Sequence, residues 1–223
     1  MKMHCTTCSM TGPTRKNDAA VFSKIYEETK KGLFILSDGI GGLYMGDEAS
    51  GTIVDVFSYV WGEHQEEWTA EKMLKEAVAL GKASIDNISQ YDMGTTMVMA
   101  AAEGESVTVA HLGDSRAYYF RPKEGIIYQT EDHIAIGRAG RPYVSKGFFN
   151  FRKVEAPTIR KFQMQSGDRI LLCSDGVYGC YQGTALTDLL QMDMDITTMM
   201  SNIIGYCDEY ARDNYSAIII EFE

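Results

Sequence analysis

Proline is scarce: four occur in 223 residues. No stretch rich in Pro, Ser or Gly interrupts the chain, and no internal repeat or low-complexity tract does so either. Domain linkers usually show such a bias, so one domain spanning 1–223 is expected. Cysteine is thin as well. Five residues, an odd number, exclude a disulfide-stapled secreted scaffold and suit a reducing compartment. No apolar run approaches the ~20 residues that cross a bilayer. Met1-Lys2-Met3-His4-Cys5 lacks the apolar centre of a secretion signal. A cytoplasmic protein with no membrane contact is the expectation. Positive charge is the last shortage. Against 31 Asp and Glu stand 21 Lys and Arg, giving a net charge of −10. A nucleic-acid partner demands a basic face, so none is expected.

What the chain does have is a set of short acidic motifs spread along its length: Asp38-Gly39-Ile40-Gly41-Gly42, Gly113-Asp114-Ser115-Arg116, Ser174-Asp175-Gly176 and Asp213-Asn214. Each puts an Asp where a short apolar, strand-like run meets a Gly or Asn turn. Such turns place a carboxylate at a strand end, free to point into a shared space. Carboxylates gathered in one space repel unless a cation lies between them. Hard divalent ions such as Mg²⁺ and Mn²⁺ take oxygen ligands of this kind. The pattern implies a metal cluster assembled by folding from distant parts of the chain. Taken singly, an Asp beside Gly is more often a turn residue or a helix cap.

Periodicity supplies the elements around these motifs. Residues 32–37 read as a buried strand running into Asp38. Helical spacing covers 47–61, with Ile53, Val54, Phe57 and Val60 on one face, and again 70–89. Strand pairs follow at 95–102 with 106–112, at 117–120 with 126–129, and at 158–164 with 169–173, the last joined by Ser166-Gly167-Asp168. A late helix is predicted over 196–210 and a final strand over 216–221. Adjacent hairpins imply antiparallel sheets. The fold class is therefore α+β: an antiparallel β-sandwich flanked by α-helices on both sides, in α-β-β-α layers.

In this order and spacing the four motifs resemble the metal-dependent type 2C serine/threonine protein phosphatases, in a bacterial-like single-domain form. Gly46-Asp47-Glu48-Ala49-Ser50, Gly94-Thr95-Thr96 and Thr130-Glu131-Asp132-His133 extend the resemblance to about residues 17–222. It implies the same sandwich. It further implies two core Mn²⁺ or Mg²⁺ ions: Asp38 would bridge them, Gly39 would offer a backbone carbonyl, and Asp175 and Asp213 would be further ligands. Asp18 would reach the ions through water. Asp114, with Asp175, would help hold a third ion. Two close cations can hold phosphate oxygens and acidify a bridging water, whose hydroxide attacks phosphorus in line. A general acid should then protonate the leaving Ser or Thr oxygen. His4 is not assigned to that task. The implied substrates are phosphorylated proteins, the implied counterpart a Ser/Thr kinase, and the protein a monomer.

Two stretches depart from the family pattern. An Arg, two spacers and Asn-Glu-Asp are usual early in the chain; here the run is Arg15-Lys16-Asn17-Asp18. Either Arg15 still grips the phosphate, for which its guanidinium fork is suited, or Lys16 substitutes as a point charge. The flap, about 134–157, is basic and aromatic in an acidic protein. It can be read as a dock for an acidic or phosphorylated partner, or as a surface loop with its aromatics tucked in.

Several residues carry plainer readings. Asp47 and Glu48 suit a helix N-terminus, Arg116 a buried carboxylate or backbone group, and His133 a structural role. Cys5-Thr6-Thr7-Cys8 has half the spacing of a zinc site, with Cys173, Cys180 and Cys207 isolated. Two alternatives to an active protein phosphatase stay open: a catalytically impaired relative acting as a binding or regulatory module, and a hydrolase of small phosphate monoesters.

Overall fold

The computed structural model describes residues 1–13, 16, 18–26, 29–64, 69–138 and 140–223. Arg15 and Asn17 lie outside the described residues. In chain order the elements are β1 (Met3–Met10), β2 (Ala19–Tyr26), β3 (Lys31–Asp38), α1 (Gly46–His64), α2 (Ala70–Asp86), β4 (Gly94–Thr95), β5 (Met97–Glu103), β6 (Ser106–Leu112), β7 (Arg116–Arg121) and β8 (Gly125–Gln129). The flap adds β9 (Ile134–Ile136), β10 (Pro142–Val144) and β11 (Phe148–Phe149). Then come β12 (Thr158–Gln163), β13 (Arg169–Cys173), α3 (Asp175–Tyr178), α4 (Ala185–Leu190), α5 (Ile196–Tyr210) and β14 (Tyr215–Phe222).

Two five-stranded antiparallel sheets result, ordered β1-β14-β13-β7-β8 and β12-β6-β5-β3-β2. The period-2 pattern of the strands explains why they stack. In β3, Phe34 and Leu36 join the core between the sheets, while Leu33 and Ile35 face α1 and α2. In β14, Ile218, Ile220 and Phe222 enter the same inter-sheet core, and Tyr215, Ala217 and Ile219 pack toward α3, α4 and α5. Strands buried on both faces are mostly apolar, with a few buried hydroxyls and His111, and each helix needs only one apolar stripe. α1 offers Ile53, Phe57 and Trp61; α5 offers Met199, Met200, Ile203 and Cys207. The α-β-β-α layering read from the sequence is the architecture found. Among the described residues no helix is long and apolar enough to cross a membrane.

Helix ends follow local chemistry. Thr69 accepts from the Lys72 N–H to open α2, and Asp195 accepts from the Thr197 and Thr198 N–H groups to open α5. α2 stops at Asp86, three residues short of the predicted 89, where Asn87 takes the cap.

One predicted hairpin is wrong. β12 pairs with β6, whereas β13 pairs with β14 and β7, so the turn between them crosses from one sheet to the other. Asp168 is the reason. Fully buried, it accepts from the Tyr119 hydroxyl at 2.7 Å and from the Gln165 N–H at 2.7 Å, and it binds Arg121 Nε. Those partners tie the turn to β7 and redirect the chain. β1 and β2 were not anticipated; both are edge strands, half exposed, so their alternation is blurred by Cys, Ser and Thr.

Replacing Asp168 by Ala leaves a buried hydroxyl and a backbone N–H unpaired. Asp168→Ala is expected to cost about 2–4 kcal/mol, read as a lower urea midpoint. An unchanged midpoint would mean the crossover is held by something else.

Candidate metal centre

The acidic motifs converge on one end of the sandwich. Asp38 is the last residue of β3, and Asp18 sits just before β2, whose Ala19 pairs with Asp38. Asp114 lies in the turn from β6 to β7. Asp175 follows β13 as the first residue of α3, and Asp213 precedes β14. These five line one cleft of about 380 Å³, together with Gly39, Thr96 and Asn214 and with the flap residues Ile134, Pro142, Tyr143 and Val144.

Close backbone approaches set the spacing. A Cβ on Gly176 would stand 1.9 Å from the Asn214 carbonyl oxygen. Only glycine lets the α3 turn press against the start of β14, and that contact puts Asp175 beside Asp213. A Cβ on Gly39 would stand 2.6–2.8 Å from the Gly46 backbone, so the turn after Asp38 folds onto the start of α1.

A buried hydroxyl network fixes Asp38. Its N–H donates to Thr96 Oγ1 at 3.1 Å, and its carbonyl accepts from Thr95 Oγ1 at 2.8 Å and from the Thr96 N–H at 2.9 Å. Ser37 Oγ and Ser115 Oγ extend the network, the latter 2.7 Å from Thr96 Oγ1. The Gly39 N–H bonds the Asp18 carbonyl at 3.0 Å. Asn214 donates its side-chain N–H to Asp18. Asn214, Thr96 and Ser115 were not singled out in the sequence as orienting groups. The signal available was their position, each adjoining or facing an acidic motif.

The described lining contains no Lys, Arg or His. Burial, then Asp175, Asp18, Asp114 and Asp213, raise the Asp38 carboxyl well above the usual range. Burial, then Asp213, raise Asp175, which keeps a compensating hydrogen bond with Asp38. Burial, then Asp175, push Asp114 up to about 6. Burial raises Asp18 against the opposing Asn214 bond. Among the described residues no three His, Cys, Asp or Glu side chains stand close enough together to form a ready-made metal cage. The donor set is all hard oxygen and fits Mg²⁺ or Mn²⁺.

The surrounding residues have other tasks. Arg116 forks onto Asp132 at 2.7 and 2.8 Å and lies 3.5 Å from the Tyr178 ring centre, while Tyr178 donates to the Asp114 carbonyl. His133 stacks on His111 at 4.4 Å, accepts from the Gly113 N–H and bonds Thr158. Its role is structural, and burial pushes it down to about 4. Asp47 and Glu48 occupy the first turn of α1, where Lys16 pairs with Asp47. His4 bonds Glu223 just past the far end of β14, about 30 Å along the chain from Asn214. Cys5 and Cys8 are three apart on a strand and face opposite sides, which removes a zinc pair. Cys180 and Cys207 are not isolated: their sulfurs lie 3.6 Å apart. In the flap, Phe148 and Phe149 are buried, whereas Phe151 is exposed.

Comparison with known proteins agrees with this frame. A family model described as protein phosphatase 2C matches residues 14–212. The chain is 28% identical over 213 residues to the serine/threonine phosphatase stp of Listeria welshimeri, covering 85% of this chain and 84% of that protein. It is 23% identical over 233 residues to protein phosphatase PhpP of Streptococcus pneumoniae, covering 94% and 93%. Its fold is similar to the solved S. agalactiae serine/threonine phosphatase (TM-score 0.85, 21% identity, all of both chains). It is likewise similar to the Mycobacterium tuberculosis phosphatase PstP/Ppp (TM-score 0.80, 22% identity, 99% of each).

If repulsion within this cluster is unrelieved without metal, Asp38→Asn in EDTA should be at least as heat-stable as the parent. Mn²⁺ at a hundredfold excess over Kd should raise the parent Tm by about 5–10 °C and raise that of Asp38→Asn less. A parent Tm indifferent to Mn²⁺ would contradict the assignment.

Proposed function

The chain belongs to the protein phosphatase 2C family, and from that premise we propose that it hydrolyses phosphoserine and phosphothreonine esters of proteins. The observation that carries the reading is the lining of the cleft: five Asp carboxylates from separate segments and no basic side chain among the described residues. A dianionic phosphate monoester cannot enter such a cleft unless cations precede it.

Asp38, Asp175, Asp213 and the Gly39 carbonyl would hold two core Mn²⁺ or Mg²⁺ ions, with Asp18 reaching them through water and Asp114 assisting a third. When bound, such ions would supply positive charge toward the phosphate oxygens and lower the pKa of water at the site. The chain's own part is orientation. The Thr95–Thr96–Ser115 hydroxyls hold Asp38 in place before any substrate arrives, so little reorganisation remains for the reaction. Gly176 and Asn214 keep Asp175 and Asp213 together. Arg15 is the proposed phosphate grip, since Lys16 is engaged by Asp47. The enzyme is assigned to the cytoplasm as a one-domain monomer that opposes a Ser/Thr kinase. Arg138 and Arg141, exposed on the turn between β9 and β10, stand where an acidic or phosphorylated partner would pass.

The test is hydrolysis of p-nitrophenyl phosphate and a phosphothreonine peptide in EDTA, Mg²⁺ and Mn²⁺. Activity should need added metal and fall on the order of 10³-fold in Asp38→Ala and Asp175→Ala. Metal binding without turnover would replace this reading with the impaired, regulatory one. Turnover of the aryl phosphate alone would favour a small-molecule hydrolase. Arg15→Ala should raise KM strongly with a smaller effect on kcat; an unchanged KM would remove Arg15 from the phosphate site. Charge reversal at Arg138 and Arg141 should alter turnover of protein substrates and spare the aryl phosphate; equal effects on both would dismiss the flap as a docking element.

A further inference from the structure

A second hollow, of about 310 Å³, opens beside the carboxylate cleft. The two share Ile40, Gly41, Tyr143 and Val144, so they meet along one edge and form a continuous trough. Beyond that edge the chemistry changes: the walls are Leu43, Phe149 and Phe151, with Arg152 at the margin. On the opposite side of the carboxylates the surface is polar, with Gln182, Tyr210 and Arg212 around a separate recess that also touches Asp175 and Asp213.

The apolar hollow is built rather than incidental. Phe149 is buried and pairs with Gly94, where a Cβ would stand 2.6 Å from its ring. The Arg152 guanidinium covers the same ring at 3.7 Å and donates to the Ser145 carbonyl at 2.9 Å, so it is held in place at the margin of the hollow. Leu43 is held from the other side by its N–H to the Ile40 carbonyl, and Tyr44 by its N–H to Asp92. Yet Phe151 and Tyr143 are each 51% exposed. A rigid apolar hollow with two half-exposed aromatics leaves surface that a ligand side chain would remove from water.

We propose that this hollow is a subsite for one bulky apolar side chain, Leu, Met or Phe, close in sequence to the phosphorylated Ser or Thr. The inference rests on the phosphatase reading above. A phosphoryl group at Asp38 places the neighbouring substrate backbone over Ile40 and Gly41, and a side chain leaving that backbone on this side meets Leu43 and Phe151. The trough therefore discriminates among phosphoproteins by what flanks the phosphate, and only one of its sides rewards an apolar residue.

The experiment uses phosphoserine peptides of Gly and Ser in which a single Leu is walked through the three positions on either side of the phosphoserine. kcat/KM is measured with Mn²⁺ for the parent, Leu43→Ser and Phe151→Ser, with sedimentation of all three. One Leu position should be favoured about tenfold or more over the Leu-free peptide, mostly through KM. That advantage should vanish in both variants, whose turnover of the Leu-free peptide stays within about twofold of the parent. Equal turnover of every peptide by the parent would overturn the subsite, as would a preference surviving both substitutions or an equal loss on the Leu-free peptide. A parent dimer that dissociates in the variants would make the hollow a contact between copies instead. Hydrolysis of no peptide at all would overturn the phosphatase reading and the subsite with it, an outcome distinct from unselective hydrolysis.

Discussion

Everything at the functional end of this molecule depends on holding like charges together. Five carboxylates share a cleft with no basic side chain in its described lining, and each gains energy by moving away from the others. The fold denies them that movement. Asp38 is clamped through its own backbone by Thr95 and Thr96. Asp175 and Asp213 are brought together by a backbone contact that admits no side chain on Gly176. The sandwich beneath supplies the stiffness, because every strand leading to a carboxylate is paired on both sides or buried against a helix. Packing elsewhere thus opposes the repulsion, and a divalent cation bound among the carboxylates, as proposed, would relieve it.

That arrangement connects stability to function. Under the proposed reading, a cluster held together against repulsion would favour its ions, and ions so held would present their charge to a phosphate with little rearrangement. The neighbouring polar groups maintain the frame and are not themselves reactive. Arg116 is consumed by Asp132 and by the Tyr178 ring, and His133 is stacked and neutral. On the proposals above, substrate selection would fall to the surfaces bordering the cleft, the basic flap turn and the apolar hollow among them.

Much of this was legible in the sequence because it depended on local rules. The α5 stripe from Ile196 to Cys207 keeps the helical period, and its predicted limits match those found. The Asp-Gly and Asp-Asn motifs marked strand ends correctly, with Gly39 and Gly176 required there by close backbone approach, and their order carried the family assignment. What failed was non-local. No residue between 158 and 173 announces that the chain changes sheets there; that follows from Asp168 meeting Tyr119, which lies 49 positions away. The edge strands β1 and β2 were missed because half-exposed strands alternate weakly. The approach of Cys180 to Cys207, and the role of Asn214 toward Asp18, likewise arise only when separate elements pack.

The central claim is that these carboxylates constitute a divalent metal centre. The most direct measurement is anomalous diffraction at the manganese edge from crystals soaked in Mn²⁺. A metal centre there should give at least two strong peaks between Asp38, Asp175 and Asp213, within coordination distance of their oxygens and of the Gly39 carbonyl. An empty cleft, with manganese bound only at other surface carboxylates, would contradict it.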